Sequence, residues 1–458
     1  MESFPVPHVR PVDAFQALRH LPCPIIFSGG KAPELQRFSY VGAAPLLHVE
    51  TRGECTTIVR PSRNSTSPDL FGALTAIMEE YGTGPDRPFP FSGGLAGFLS
   101  YDLKSSIEAL PPRSSDIGTA ECFMGLYDPL FVYDHIEEKG FVVSRGIRNP
   151  LLNAAALRKL LGAPPRKRAL SPERAPELTN LTANMTRDDY FALLERVQEY
   201  IAAGDIYQVN IAQRLSWERR GDPFALYRRL VSHDQAPFSS YMELDGYQVI
   251  SNSPERFLKV RGDKIETCPI KGTRPRGRTA GEDGRLRKLL RHNPKEVAEH
   301  IMIIDLERSD LGRICATGTV AVKELMEVAT LPHLHHMVST VTGRLKEKTT
   351  LSDILKATFP GGSITGAPKI RAMEIIDELE PTPRGIYTGA IGHIDLSGDM
   401  DLAMAIRTAI TTAGKLYINV GGGIVADSDT AAEYDETLLK ADSFLRTLTA
   451  SSLSRASA

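Results

Sequence analysis

The run Leu396-Ser397-Gly398-Asp399 separates two apolar-rich stretches, Gly385 to Asp395 and Asp401 to Thr411. A Ser-Gly-Asp cluster between two such runs reads as the turn of a hairpin, which commits this part of the chain to antiparallel pairing. Between about Ile25 and Asp134, short runs such as Pro24-Ile25-Ile26-Phe27 and Leu130-Phe131-Val132-Tyr133 alternate with Ser28-Gly29-Gly30 and Ser92-Gly93-Gly94 and also predict strands. Further strands are expected over Gln208 to Leu215 and Tyr247 to Ser251. Helical spacing enters after Thr186, where Tyr190, Leu193, Leu194, Val197 and Ile201 recur every three or four residues up to a stop at Gly204. Asn153 to Leu161 and Lys295 to Arg308 read as helices too. Hairpins interspersed with helices, without βαβ alternation or a solenoid repeat, place the chain in the α+β class.

The polar, proline-bearing stretch from Pro164-Pro165-Arg166-Lys167-Arg168 to Pro176 marks the main division. It predicts an N-terminal region over 1–163, a linker over 164–182 and a longer region over 183–450. With 458 residues the chain can bury a deep, water-excluded site. Lys+Arg 54 against Asp+Glu 56 leaves no global basic field, so a nucleic-acid partner is not expected. Five scattered cysteines without a Cys-x-x-Cys pair suit a reducing compartment. No apolar run approaches membrane-spanning length, and Met1 to Leu21 is broken by Pro5, Pro7, Arg10, Pro11 and Asp13, so a soluble, cytoplasmic protein with no membrane partner is expected.

Three features carry chemistry. Glu296 with Glu299, and Glu433 with Glu436, each place two carboxylates at i, i+3 on one helical face. Two such faces either hold one hard cation, magnesium suiting oxygen ligands better than zinc, or are solvated acidic surfaces. Val420-Gly421-Gly422-Gly423-Ile424 is an apolar strand opening into three glycines, either a tight turn or a place where backbone N–H groups approach an anion. In Pro269-Ile270-Lys271-Gly272-Thr273-Arg274-Pro275-Arg276-Gly277, a lysine lies among small residues and arginines. This is either a basic surface loop or a lysine whose neutral, nucleophilic form is favoured. His333, His335 and His336 raise zinc as a rival ligand, without nearby cysteines to support it.

Several separated motifs, in order, give the chain its resemblance to a known family. They are Ser253-Pro254-Glu255-Arg256-Phe257, Pro269 to Gly277, Glu299-His300-Ile301-Met302-Ile303-Ile304-Asp305, His336-Met337-Val338-Ser339, Thr365-Gly366-Ala367-Pro368-Lys369, Ala405-Ile406-Arg407-Thr408, and Gly421 to Glu436. Together they resemble the chorismate-utilising enzymes over about Thr186 to Leu445. That resemblance implies large antiparallel sheets packed as a β-sandwich with helices outside. It implies magnesium on Glu299 and Glu436, with Glu296 and Glu433 in its water shell. It places Gly272, Thr273, His336, Tyr387, Arg407, Gly421, Gly422, Gly423 and Lys440 around chorismate, a small dianion suited to cationic and N–H donors. Glu255 takes the position of an acid that assists departure of the C4 hydroxyl, which requires a protonated carboxyl.

Within the family, isochorismate and salicylate synthases have a water-activating lysine where this chain has Gln208, so attack by water is disfavoured. Anthranilate synthases carry alanine where Lys271 stands, whereas members that aminate C4 carry lysine, so the resemblance implies C4 amination on the way to 4-aminobenzoate and folate. Amination at C2 and a non-catalytic regulatory relative are the alternatives. No glutaminase-like cysteine motif is present, so ammonia is expected from a separate glutamine amidotransferase subunit. Ser28 with Gln36-Arg37-Phe38 matches the family's amino-acid pocket. The family's Asp-Leu-x-Arg-Asn-Asp run reads Asp305-Leu306-Glu307-Arg308-Ser309-Asp310 here, and the serine is expected to weaken a structural cap.

Overall fold

The computed structural model describes every residue except 7, 31–34, 85–86, 163–175, 331–333 and 450–458. His333 and most of the linker therefore lie outside the described residues. The described strands form two sheets of twelve strands each, and every pairing among them is antiparallel. One sheet runs from Glu2–Val6 through Ile25–Ser28, Phe238–Leu244 and Thr408–Thr412 to Lys415–Ile424, Gln208–Arg220 and Glu177–Ala183. The other runs from Ile270–Pro275 through Leu334–Arg344, Arg256–Arg261, Met400–Met404 and Ala390–Asp395 to Gly94–Leu99 and Ser65–Ser67.

Both sheets draw strands from either side of the 164–182 segment, so the two stretches of sequence share their layers. Within that segment, Glu177–Ala183 is itself a strand on the edge of the first sheet, hydrogen-bonded to Gln208–Arg220. The inner faces pack Ile25, Phe27, Tyr40, Met242, Val249 and Ile410 of one sheet against Ala96, Phe98, Phe123 and Ile391 of the other. Outside the first sheet lie the helices Pro11–Leu18, Pro223–His233 and Thr430–Thr449, while Leu70–Tyr81, Pro294–Ile314 and Leu351–Thr358 contribute to the core on the second sheet's outer side. The fold is α+β, a sandwich with helices outside, as expected.

Local chemistry explains the element ends. Thr186 caps Arg187–Ala203 by accepting the Asp189 N–H while the Asp189 carboxylate accepts the Thr186 N–H, and Gly204 closes the helix at φ 83. Tyr190, Leu193, Leu194 and Val197 form its buried stripe. The Leu396–Asp399 turn joins Ala390–Asp395 to Met400–Met404, but the second strand stops earlier than its apolar run suggests. At Ala405-Ile406-Arg407 the chain crosses to the other sheet and resumes as Thr408–Thr412. Arg407 turns this corner at φ 47, uncommon for a residue with a Cβ. Ser309 caps nothing, because the helix Pro294–Ile314 continues past it and leaves it on the exposed face.

Candidate active site

Lys271 lies on the edge strand Ile270–Pro275, not in a surface loop. Gly272 takes φ 75 and produces a register shift between Lys271↔Met337 and Thr273↔His336, a bulge that re-aims the flanking side chains. A Cβ on Gly272 would also stand 2.8 Å from Glu296 Oε2 and from Leu290. Lys271 is half-buried over its length with its ammonium at the enclosed end. Burial depresses its pKa below the usual lysine value against the opposing pull of Glu299, Glu255 and Glu436, and the Lys440 cation adds to the depression.

Glu255 follows the strand Tyr247–Ser253 and is 5% exposed. Burial pushes its carboxyl up to about 7, although the Ser363 hydroxyl donates to Oε1 at 2.6 Å and Lys271 lies within electrostatic reach. At neutral pH about half of such a group is protonated, against roughly one in three hundred for a glutamate at 4.5. Loss of solvent thus makes Glu255 a competent proton donor at neutral pH.

The glutamate pairs face one another across the site. The charges of Glu433 and Glu296 reinforce the burial that raises Glu299, and Glu436 does the same for Glu296. Glu436 differs: burial pushes it up, but Lys440, Lys295 and Lys271 outweigh that and hold it below the usual value. Among the described residues no three carboxylate, imidazole or thiol groups stand close enough to hold a metal ion as arranged. Glu436 turns to Lys440 at 2.7 Å, Glu296 to Arg274 at 2.6 Å, and Glu433 accepts the Ser428 hydroxyl at 2.7 Å. The donor set still fits a hard divalent cation, since all the oxygens are carboxylate and Glu296 Oε2 is buried without a hydrogen-bond partner.

Arg407 and His336 form a further group within electrostatic reach of one another. Burial lowers the Arg407 pKa, with only Asp234 opposing, and among the described residues no carboxylate pairs with its guanidinium. Burial and the Arg407 charge push His336 down to about 4, leaving a neutral ring. Its Nδ1 shares a 2.9 Å hydrogen bond with Thr273 Oγ1, and its buried Nε2 has no partner. His335, next on the strand, points to the other face and is held by Asp283 and Thr330 at 2.9 and 3.0 Å. That alternation offers no support for the zinc rival. Tyr387, whose hydroxyl burial raises to about 12, has Arg384 and Glu380 as its charged neighbours, and Tyr190 lies within electrostatic reach of Tyr387, Glu433 and Glu436 alike.

The three glycines lie within the strand Lys415–Ile424, so the tight-turn alternative falls away. Beyond Ile418 the strand has lost its partner Thr408–Thr412 on one edge. On the paired side, Asn210 and Ala212 stand opposite Gly423 and Gly421 but donate elsewhere, to the Thr365 carbonyl and to Glu380. Gly421 and Gly423 are therefore non-hydrogen-bonded positions whose N–H groups face the open edge. Lys440 confirms that direction by donating to the Gly421 carbonyl at 2.9 Å. A Cβ on Gly421 would lie 2.4 Å from the Ile211 carbonyl oxygen, so that position requires glycine, and one on Gly423 would lie 2.1 Å from Nε2 of the buried Gln208 side chain, which would have to move. The Gln208 amide is fully buried with neither atom hydrogen-bonded.

Sequence reasoning missed Ser363, which engages Glu255, and the buried pair Glu380 and Arg384, which stitches together the backbone around Asn210 and Ile364. No local pattern flags them, although Ser363 lies only two residues before the Thr365-Gly366-Ala367-Pro368-Lys369 motif. Ser28 and Gln36, by contrast, line a small cavity with Phe27, Phe238, His393 and Asp401, apart from the residues above.

A buried acid, an enclosed lysine, an unpaired guanidinium and facing carboxylates define an enzyme site for a small anionic substrate. The chain belongs to the chorismate binding enzyme family, whose model matches residues 28–446. It is 39% identical over 440 residues to aminodeoxychorismate synthase component 1 of Escherichia coli (strain K12), covering 95% of each chain. It is 36% identical to anthranilate synthase component 1 of Acetivibrio thermocellus, covering 96% of this chain and 92% of that protein. Among solved structures, anthranilate synthase component I of Streptococcus pneumoniae TIGR4 superposes with a TM-score of 0.80 at 34% identity, over 90% of this chain and 92% of that one.

Proposed function

We propose that the chain aminates chorismate at C4, as the chorismate-converting component of an aminodeoxychorismate synthase. Its ammonia would come from a separate glutamine amidotransferase subunit, and its product would lead to 4-aminobenzoate and folate. The observation that carries this reading is Lys271: an enclosed amine with a depressed pKa, in electrostatic contact with the acid Glu255. In its neutral form it adds to C2 of chorismate as both ring double bonds shift one position along the ring and the C4–O bond breaks. The C4 hydroxyl departs as water with the proton held by Glu255. Ammonia then forms the C4–N bond, both ring double bonds shift back, the C2–N bond breaks, and Glu255 recovers a proton from the incoming nitrogen. An occupied C2 is what directs nitrogen to C4.

Glu299 and Glu436, with Glu296 and Glu433 behind them, would hold magnesium, which when bound supplies charge neutralisation for a substrate carboxylate. Arg407, the open-edge amides of Gly421 and Gly423, and the Tyr387 hydroxyl suit the other anionic and polar groups. Gly272, Thr273 and Gly422 support the reading by shape, aiming Lys271 and His336 and leaving room beside Glu433 and Lys440.

The rival, amination at C2, draws on the comparable similarity to anthranilate synthases. The test is product identification after incubating the purified chain with chorismate, magnesium and ammonium, with and without an aminodeoxychorismate lyase. A 4-amino product that the lyase converts to 4-aminobenzoate is expected, and Lys271→Ala should abolish it. Anthranilate as the product would overturn the reading.

A further inference from the structure

A second buried carboxyl lies behind Glu255, in a place the catalytic proposal does not use. The turn Gly361-Gly362-Ser363 is held from two sides. The Ser363 hydroxyl donates to Glu255 Oε1 at 2.6 Å, and the adjacent Gly362 N–H donates to Glu307 Oε1 at 3.0 Å. Glu307 is 3% exposed and comes from the helix Pro294–Ile314. The glycines let the turn pass between these elements: a Cβ on Gly361 would stand 2.4 Å from Met404 Cε, and one on Gly362 2.6 Å from Leu306 and 3.0 Å from Glu307. Glu307 occupies the open position of the Asp-Leu-x-Arg-Asn-Asp run, so no motif assigns it a task.

We propose that Glu307 is a positioning residue for the catalytic acid, anchoring through the Gly362 N–H the turn that aims the Ser363 hydroxyl at Glu255. The inference rests on the proposed general-acid role of Glu255. The charged groups around the pair are few. Glu307 faces Asp310 on its own helix, Lys369 on the helix Lys369–Leu379, and Glu255. Asp310 is paired with Lys369, with Arg313 and Glu108 further out. Glu255 faces Lys271, the Ser363 hydroxyl and the Ile270 backbone. Lys369 also donates to the Thr358 and Pro360 carbonyls, and together with Asp310 it acts on the Glu307 carboxyl more strongly than Glu255 does.

Burial raises the Glu255 carboxyl to about 7, and the Ser363 hydroxyl opposes that rise by favouring the carboxylate. Releasing the turn from Glu307 withdraws that hydroxyl, so loss of the anchor acts on Glu255 in the same direction as loss of the hydroxyl itself.

The test is the pH dependence of kcat/KM for the full chain with ammonium as nitrogen source, in the wild type, Glu307→Gln, Glu307→Leu, Ser363→Ala and Glu255→Gln. Ser363→Ala removes a donor that favours the carboxylate, so its basic limb should move up. Glu307→Leu removes the acceptor for the Gly362 N–H and should move the basic limb in the same direction relative to Glu307→Gln, which keeps an oxygen there. Uniform loss of rate in Glu307→Leu with a basic limb unmoved from that of Glu307→Gln, while Glu255→Gln is inactive, would overturn the inference and leave the acid role standing. Full activity in Glu255→Gln would instead overturn the acid role itself.

Discussion

Removing Glu380 should destabilise the protein more than any single contact it makes would suggest. Glu380 and Arg384 have side-chain exposures of 4% and 2%. Arg384 donates to Glu380 through Nε at 2.9 Å and Nη2 at 2.7 Å, to the Asn210 carbonyl at 2.6 Å and to the Ile364 carbonyl at 3.1 Å. Its guanidinium lies 4.7 Å over the Tyr101 ring, and Glu380 accepts the Ala212 N–H at 2.9 Å. Glu380→Leu strands a buried guanidinium and orphans one backbone donor, and Arg384→Met strands a buried carboxylate, each a loss of about 3–5 kcal/mol for breaking one side of a buried pair. With both replaced the charges are gone, and the remaining cost is the unpaired Ala212 N–H and the donors lost by two carbonyls, about 1 kcal/mol each. The double variant should therefore be less destabilised than the sum of its single variants by about 3 kcal/mol or more. Urea unfolding followed through Trp217, the one tryptophan in the chain and a buried one, supplies the four free energies. Single losses below about 1 kcal/mol, or strict additivity, would refute the argument.

Other consequences are equally direct. His393 is stacked on Phe91 with both ring nitrogens buried and unbonded, and burial pushes it down to about 4 from 6.5. The unfolded chain binds this proton first, so the stability His393 contributes at neutral pH is lost as pH falls from about 6.5 towards 4. His393→Leu should flatten that acid limb in thermal unfolding, and an unchanged slope would rule the histidine out as its source. Chelation should abolish chorismate turnover and magnesium restore it. Glu299→Gln and Glu436→Gln should each raise the magnesium requirement at least tenfold, measured by titrating activity with the metal. Arg407→Leu should raise KM for chorismate by at least tenfold without lowering thermal stability, because the guanidinium forms no ion pair among the described residues. A stable variant with unchanged KM would remove Arg407 from the substrate side.

What the sequence determined by itself is whatever is settled by neighbours along the chain. The Thr186 cap and Gly204 stop fix a helix because both act on backbone groups within a few residues. The Leu396–Asp399 turn fixes a hairpin for the same reason, and i, i+3 spacing alone puts Glu296 with Glu299 and Glu433 with Glu436 on shared faces. Ordered motifs then made the family legible, and with it the residue types of the site. The length of the strand after the hairpin was not legible, because only pairing with the first sheet decides that the chain crosses over at Arg407.

The tertiary structure alone decided the states of those residues. Glu255 is an acid near neutrality because distant segments exclude water from it, and its hydroxyl partner lies 108 positions away. The glycines near Gly421 present N–H groups because the neighbouring strand Thr408–Thr412 ends short of them, a fact of sheet topology that no local pattern encodes. Glu307 reads as an ordinary helical glutamate until the Gly361–Ser363 turn is laid against it. Burial, and the field of charges brought near by folding, depend on the sum of long-range contacts, and so the chemistry of these groups is written in the packing.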